Sequence, residues 1–201
     1  MICSPSANKV SEQLLPGYLI RRGSTLERSL LVKFMQKTYQ ERFPQQDFAH
    51  LARTVEQYLS KDTPLWWVDV EEAGEQRSEG AGEQGSRGAE EVNNLDSSLS
   101  PSPTLSPPSP VACLWVGNAV DQVSGDRHAH IFLLYVVPEH RRRGIGKALM
   151  QYVENWAIER GDRQIGLQVF QSNQPALNLY NQLGYQTQSL WMLKELSVKR
   201  Q

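Results

Sequence analysis

Apolar residues recur along this chain at two spacings, and their order predicts a mixed α/β fold. Segments 26–38 and 48–59 place apolar side chains three and four residues apart, which is typical of amphipathic helices. Short apolar runs bounded by turn residues predict strands instead. The predicted strands are 18–22, 65–70, 111–120, 130–137, 164–170 and 186–196.

Two further helices are predicted in the C-terminal half. One opens after Gly144 and ends near Gly161; the other is capped by Ser172 or Asn173 and stopped by Gly184. The strand after the first of these helices should lie parallel to a neighbour, because a helical crossover separates the two strands. The sequence therefore predicts one mixed sheet of six to seven strands flanked by four helices.

Segment 72–110 departs from this pattern. It combines Gly/Glu/Gln low complexity with a proline-serine tract, so we expect a disordered insert within a domain spanning 18–201. Residues 1–17 are predicted to be a flexible lead. Positions 71–110 hold eight acidic and two basic residues, which leaves 19 basic and 14 acidic elsewhere, a net charge of +5. That mildly basic remainder suits an anionic ligand.

Other compositional features exclude several classes of protein. Cys3 and Cys113 are too few for a disulfide scaffold or a metal cluster, so no metal is predicted. The first 17 residues lack the charge and apolar pattern of a signal peptide. No apolar run reaches the roughly 18 residues that a membrane span needs. We expect a soluble, cytoplasmic protein that does not associate with membranes.

A basic turn after the strand 130–137 is the strongest chemical signal. Residues 141–146 read R-x-x-G-x-G and lead directly into a helix. Glycines allow the backbone to approach a ligand, and the free N–H groups of a helix N-terminus favour an anion. A dinucleotide fingerprint fails because Leu149 replaces its third glycine, and a P-loop fails because Ala148 follows Lys147.

A second motif, N-x-x-A-x-x-x-Y-x-x-x-G-[FY], spans 173–185. On a helix, Asn173 and Tyr180 lie two turns apart on one face, with the small Ala176 between them. An amide, a small side chain and a phenol on a shared face are suited to lining a ligand site.

Together, the turn and this second motif resemble the GNAT superfamily of N-acetyltransferases, most sharply over 130–185. The resemblance implies that Arg141 and Arg143 face the phosphates of acetyl-CoA and that backbone N–H groups over 144–147 cradle them. It also implies that the strand before the turn pairs with the pantetheine arm, that Asn173 contacts the coenzyme and that Tyr180 protonates the departing thiolate. The implied coenzyme-binding residues are Tyr135, Val136, Val137, Arg141, Arg143, Gly144, Ile145, Gly146, Lys147 and Asn173.

The implied reaction also needs a base for the acceptor amine. His130, at the start of the strand, is the candidate, with His128 on the same face as a weaker one. Members of the superfamily transfer the acetyl group directly in a ternary complex, so no covalent enzyme intermediate is expected. The acceptor stays open among a peptide N-terminus, a lysine side chain, a polyamine and a small antibiotic-like amine.

Two other interpretations remain open. One is a non-catalytic acyl-CoA-binding module, against which the presence of Tyr180 and Asn173 argues. The other is a partner-binding or nucleic-acid-binding protein that uses the arginine turn. Because the three arginines form a single cluster without interleaved aromatic residues, we expect no nucleic-acid ligand. We expect a monomer or a homodimer.

Overall fold

The computed structural model describes residues 11–71 and 109–196, which form one six-stranded mixed sheet with helices on both faces. The strands follow one another across the sheet in chain order; β1 to β5 are antiparallel and β5 pairs with β6 in parallel. The strands are β1 Ser11–Leu15, β2 Tyr18–Arg22, β3 Leu65–Val70, β4 Ala112–Val120, β5 Arg127–Val136 and β6 Ile165–Leu167. The helices are α1 Arg28–Gln40, α2 Leu51–Tyr58, α3 Ile145–Glu159 and α4 Gln174–Gln182. This architecture confirms the predicted fold class.

The two faces of the sheet are covered by different helices. On one face, called the α3 face, Trp66, Val68 and Leu114 pack with buried residues of α3, and α4 lies alongside. The opposite α1 face packs Trp67 and Trp115 against α1 and α2. Strands β3 and β4 are buried on both faces, which explains why they read as continuous apolar runs rather than as alternating ones.

Strand β5 contains a β-bulge at Phe132. Trp115 pairs with Leu133 and Val116 pairs with Ile131, so Phe132 is an extra residue without a partner on β4. The bulge switches the faces of the strand: Ile131 packs on the α3 face, whereas Leu133 packs on the α1 face. Pairing between β5 and β6 also stops at Ile131 and Leu167, immediately before the bulge. The two strands are therefore unpaired beyond this point.

The predicted N-terminal lead is wrong for residues 11–15. Strand β1 pairs with β2 through a tight turn in which Gly17 has a φ of +80°. Leu14 and Leu15 pack against the α3 face. The polar segment becomes a strand because the hairpin turn brings it onto the open edge of β2, an effect that its own residue pattern does not reveal. Residues 1–10 lie outside the described part of the chain.

The predicted strand at 186–196 is absent: those residues have no regular secondary structure and lie exposed. Their apolar alternation finds no paired edge, and without ladder hydrogen bonds the spacing alone does not make a strand. Strand β6 is also shorter than predicted, because its partner β5 diverges from it at the bulge and the ladder hydrogen bonds end there. The predicted disordered insert lies outside the described residues, apart from Ser109 and Pro110. Within the described ranges, no helix is long and apolar enough to cross a membrane.

Candidate active site

A glycine-containing turn joins β5 to α3. Gly144 caps the helix with a φ of +86°, and Arg142 also has a positive φ, +61°, a backbone region that non-glycine residues seldom adopt. The first intrahelical hydrogen bond runs from Ala148 N–H to Gly144 O at 3.0 Å. The N–H groups of the preceding positions 145–147 therefore have no acceptor within the helix. This arrangement provides several backbone donors at the positive end of a helix dipole.

The side chains around this turn have distinct environments. Ile145 is fully buried and anchors the helix start in the core, whereas Lys147 is exposed. A Cβ on Gly146 would lie 3.3 Å from Leu179 Cδ2, so this glycine allows α4 to lie close to α3. At positions 145 and 146, therefore, a ligand at the turn can contact the backbone but no side chain.

Arg141 is held by several contacts within the protein. Its Nη2 donates to both carboxylate oxygens of Glu41 at 2.6 and 2.8 Å, and its Nε donates to Val136 O at 2.8 Å. Its guanidinium also lies 5.4 Å from the ring centroid of Tyr135. Glu41, at the end of α1, was missed by the sequence analysis because no local pattern connects it to a turn 100 residues away.

Arg143 has more freedom. Its Nη1 donates to Tyr18 Oη at 3.2 Å, and that hydroxyl lies 2.9 Å from His140 Nδ1, consistent with donation to the ring nitrogen. The Arg143 side chain is exposed and, among the described residues, has no carboxylate partner. Of the two arginines predicted to face phosphates, Arg143 is therefore the one whose remaining donors are available.

Beyond the bulge, the backbone groups of β5 differ in whether they are free for the predicted pairing with a pantetheine arm. Val137 N–H donates to Val111 O at 2.9 Å, so it faces the inner side of the sheet. Because backbone groups alternate along a strand, those of Tyr135 also face β4, and those of Leu134 and Val136 face the unpaired side. The Val136 carbonyl is already occupied by Arg141. Leu134, which the sequence analysis did not select, is the residue best placed to pair.

A cleft lies where β5 and β6 separate. It is lined from the α3 face by Asn173 and Tyr180 and from the α1 face by Thr38, Tyr39 and Arg42. The remaining lining residues are Ile131, Phe132, Leu133, Leu134, Leu167, Gln168, Val169 and Phe170. The cleft thus runs through the sheet from one face to the other. Its presence depends on the bulge, which the sequence does not reveal.

Asn173 and Tyr180, the two polar residues of the predicted shared face, lie in this cleft, as their spacing predicts. Asn173 is also the N-cap of α4, and its Oδ1 accepts from Ala176 N–H at 3.3 Å, which leaves its amide NH₂ for a ligand. Tyr180 is partly buried, and burial raises the pKa of its phenol to about 12. The hydroxyl therefore stays protonated at neutral pH, as a proton donor must.

His130 lies outside the lining of the cleft. It is on β5 two residues before Phe132, and the centroids of the two rings are 5.7 Å apart. His128 and His130 both lie against Gly166 of β6, where an added Cβ would be 3.3 Å from His128 Nε2 and 3.4 Å from His130 Nδ1. Burial, followed by the neighbouring His128, lowers the pKa of His130. The imidazole is thus neutral and able to accept a proton, but Phe132 intervenes between it and the cleft.

The family comparison agrees with these features. Residues 108–185 match the family model described as the Acetyltransferase (GNAT) family. Over these residues the chain is similar to the GNAT family. This match contains β4, β5, α3, β6 and α4, and therefore the arginine turn, the bulge and the α4 side of the cleft.

Curated relatives match this chain over part of their lengths. The peptidyl-lysine N-acetyltransferase YiaC of Escherichia coli K12 is 46% identical over 52 residues, which is 26% of this chain and 32% of that protein. The streptothricin acetyltransferase of Streptomyces lavendulae is 40% identical over 50 residues, 25% of this chain and 26% of the relative. An acetyltransferase of Yersinia pestis strain Pestoides F is 33% identical over 89 residues, 42% and 63% of the two chains. The matched parts thus cover less than two thirds of each relative.

Solved structures share the fold over a longer span. A predicted acetyltransferase with acetyl-CoA from Clostridium acetobutylicum has a TM-score of 0.59 at 16% identity, and the match covers 89% of this chain and 96% of that one. A ribosomal-protein-alanine N-acetyltransferase from Brucella melitensis has a TM-score of 0.56 at 14% identity, with 90% and 99% covered. At these identities the likeness concerns the fold alone. It extends to the N-terminal half, which the family match does not include.

Proposed function

We propose that this protein is an acetyl-CoA-dependent N-acetyltransferase that transfers the acetyl group directly to an acceptor amine. The observation that carries the proposal is the juxtaposition of two features at the end of β5. The free N–H groups at the start of α3 form an anion site, and the strand before them borders a cleft that contains a protonated phenol. A coenzyme with a pyrophosphate at one end and a thioester at the other matches this pair of sites.

Each part of the coenzyme has a counterpart in the chain. The backbone at 145–147 and the free donors of Arg143 would hold the pyrophosphate, with Lys147 exposed beside them. The backbone groups of Leu134 on the unpaired side of β5 would hydrogen-bond to the pantetheine amides, and the amide of Asn173 would supply a further donor. These roles refine the sequence-based assignment, in which Arg141 shared the phosphate contact.

The transfer itself requires two proton movements. The neutral amine nitrogen attacks the thioester carbonyl carbon, the new C–N bond forms and the C–S bond breaks. The nitrogen gives up one proton to a base, and the departing sulfur takes one proton from Tyr180, which yields the N-acetyl amine and the free coenzyme thiol. The apolar surroundings that raise the pKa of Tyr180 would likewise raise that of a thiol formed beside it, so the burial that weakens the phenol as an acid also makes the departing thiolate a stronger base.

His130 is the proposed base, either through a water molecule or after a displacement of Phe132. Its lowered pKa keeps it neutral at pH 7, and it lies on the α1 face, opposite the face that carries α4. An acceptor that enters from the α1 face would therefore lie beside the base, and the coenzyme would reach it from the opposite side of the sheet.

The coenzyme site is tested by isothermal titration with acetyl-CoA. Arg143→Gln should weaken binding by about tenfold or more, because a charge-assisted contact contributes about 1.5–3 kcal/mol. Arg163→Gln is the matched control, since it removes the same charge from an exposed side chain at the opposite end of the sheet, paired only loosely with Asp126 at 3.8 Å. Equal affinity in both variants would contradict the placement of the pyrophosphate, and no binding by the parent protein would refute the proposed function.

The general acid is tested separately. Tyr180→Phe keeps the ring and removes the proton, so the single-turnover rate at saturating acetyl-CoA should fall by roughly 10²-fold while the coenzyme affinity stays nearly constant. Tyr152→Phe is the matched control: burial also raises the pKa of this phenol to about 12, but the residue lies on α3 outside the cleft. If Tyr180→Phe transfers acetyl as fast as the parent, Tyr180 is only a wall of the cleft.

A further inference from the structure

The α1-face opening of the cleft has an unusual composition for a site that receives an amine. Three aromatic residues, Tyr39, Phe132 and Phe170, line it. The ring centroid of Phe170 lies 6.3 Å from that of Tyr39 and 5.6 Å from that of Phe43, which packs behind the lining. The ring centroid of Phe132 lies 5.9 Å from that of Tyr58. Phe170 is 44% exposed, so its ring is open to a ligand rather than sealed within the core.

Arg42 provides the charge at this opening. Among the described residues that line the cleft, it is the only charged side chain. Its guanidinium lies 6.0 Å from the ring centroid of Phe170. The neighbouring Glu41 carboxylate is close enough for a coulombic interaction with Arg42, which contributes to the lowered pKa of that carboxyl. Glu41 is occupied by Arg141 and by Tyr135, whose hydroxyl donates to it at 2.7 Å. The cleft therefore offers a cation whose neighbouring carboxylate is already hydrogen-bonded to two other side chains.

These features constrain the acceptor. A positive side chain in the cleft repels polycationic amines and attracts a carboxylate, while the aromatic walls favour an apolar group. A nearby cation also lowers the pKa of a bound ammonium and so promotes the neutral form that attacks the thioester.

We infer that the acceptor is an amino acid with an aromatic or large apolar side chain, its carboxylate bound by Arg42 and its side chain packed against Phe170. This inference rests on the proposed acetyl transfer. It excludes polyamines and aminoglycoside-like acceptors, which carry several positive charges. Arg42 and Phe170 then determine specificity, whereas Tyr180 and the α3 turn serve the transfer itself.

The experiment compares four acceptors at saturating acetyl-CoA, with release of the coenzyme thiol as the readout. L-Phenylalanine carries both features, L-phenylalaninamide lacks the carboxylate, L-alanine lacks the aromatic ring and spermidine is polycationic. We expect kcat/KM for L-phenylalanine to exceed that for each of the others by about tenfold or more. In Arg42→Gln the difference between L-phenylalanine and its amide should disappear, with acetyl-CoA affinity unchanged.

Lys37→Gln is the matched control. It removes a positive charge from α1 about one turn before Arg42, at a side chain outside the cleft lining, and should preserve the preference for the carboxylate. Phe170→Ala should abolish the preference for L-phenylalanine over L-alanine. The inference is overturned if spermidine or the amide is used as well as L-phenylalanine, or if Arg42→Gln keeps the difference. Weakened acetyl-CoA binding in Arg42→Gln would also overturn it, because Arg42 would then be a coenzyme ligand.

Failure of this inference can be separated from failure of the proposed function. Acetyl-CoA binding by calorimetry requires no acceptor, so a parent protein that does not bind the coenzyme refutes the proposed function directly. If the coenzyme binds and no amine is acetylated, saturation-transfer NMR on the complex with coenzyme A reports acceptor binding without turnover. Binding of L-phenylalanine in preference to spermidine would support the inference, and the reverse order would overturn it.

Discussion

The Glu41–Arg141 pair allows a quantitative test of how the coenzyme turn is held. Glu41 accepts from Arg141 at 2.6 and 2.8 Å and from the buried Tyr135 hydroxyl at 2.7 Å, so it ties the end of α1 to both β5 and the turn. The perturbation is Glu41→Ala and Arg141→Ala, made singly and together. If the pair holds the turn, each change acts mainly on stability and the two effects are not additive.

The expected losses in the free energy of unfolding follow from how exposed the two side chains are. The side chains of Arg141 and Glu41 are 41% and 38% exposed, so solvent screening limits their coupling to about 1 kcal/mol. Glu41→Ala also removes the acceptor of a buried phenol, which adds about 1–3 kcal/mol. We therefore expect Glu41→Ala to cost about 2–4 kcal/mol and Arg141→Ala about 1–2 kcal/mol, with the loss in the double variant about 1 kcal/mol smaller than the two single losses combined.

The assay is urea unfolding followed by tryptophan fluorescence, with acetyl-CoA affinity measured in parallel. Burial opposes ionisation of Glu41, but the hydrogen bonds from Arg141 and Tyr135 outweigh it, and the pKa of the carboxyl is lowered. Its stabilisation is therefore complete above the ordinary glutamate value of about 4.3 and is lost as the pH falls through the lowered folded pKa. The difference between the parent and Glu41→Ala should shrink accordingly in acid.

Two results would refute this reasoning. A coupling free energy near zero would mean that the ion pair does not hold the turn. Alternatively, if Arg141 leaves Glu41 to bind the coenzyme, Glu41→Ala would release the guanidinium and tighten acetyl-CoA binding, while Arg141→Ala would weaken it by tenfold or more without loss of stability.

Two further predictions concern β5. Burial and then His128 lower the pKa of His130, so the acidic limb of the pH–rate profile should have its midpoint below about 6.5 and disappear in His130→Ala; His128→Ala should move the midpoint up toward that value. If the acidic limb survives in His130→Ala, the limb reports another group. Gly117→Ala should destabilise the fold by about 1–3 kcal/mol in urea unfolding, because the new Cβ would lie 2.1 Å from the ring of Phe132. Gly166→Ala, whose Cβ would meet only imidazole atoms at 3.3 Å or more, is the milder comparison; equal stability of the two variants would show that Phe132 moves freely.

Much of the secondary structure of this protein is determined by the local sequence and could be predicted from it. Asn173 and Gly184 begin and end α4 as their capping chemistry dictates, and Gly144 opens α3 from a left-handed conformation. The spacing of Asn173 and Tyr180 placed both in one cleft because a helix fixes which residues share a face. The buried strands β3 and β4 were likewise predictable from their apolar runs.

The features that the sequence did not reveal depend on contacts between distant residues. Nothing near Phe132 marks the bulge, which arises from how β5 pairs with β4 and which opens the cleft by ending its pairing with β6. Arg141 turns toward Glu41 because the fold brings the end of α1 beside the turn, whereas Arg143 keeps donors available; nothing local to the turn distinguishes the two arginines. Local chemistry specified the helix ends and the phosphate turn, whereas the tertiary structure decided which of their side chains remain free, because an ion pair or a strand pairing depends on where the second partner lies.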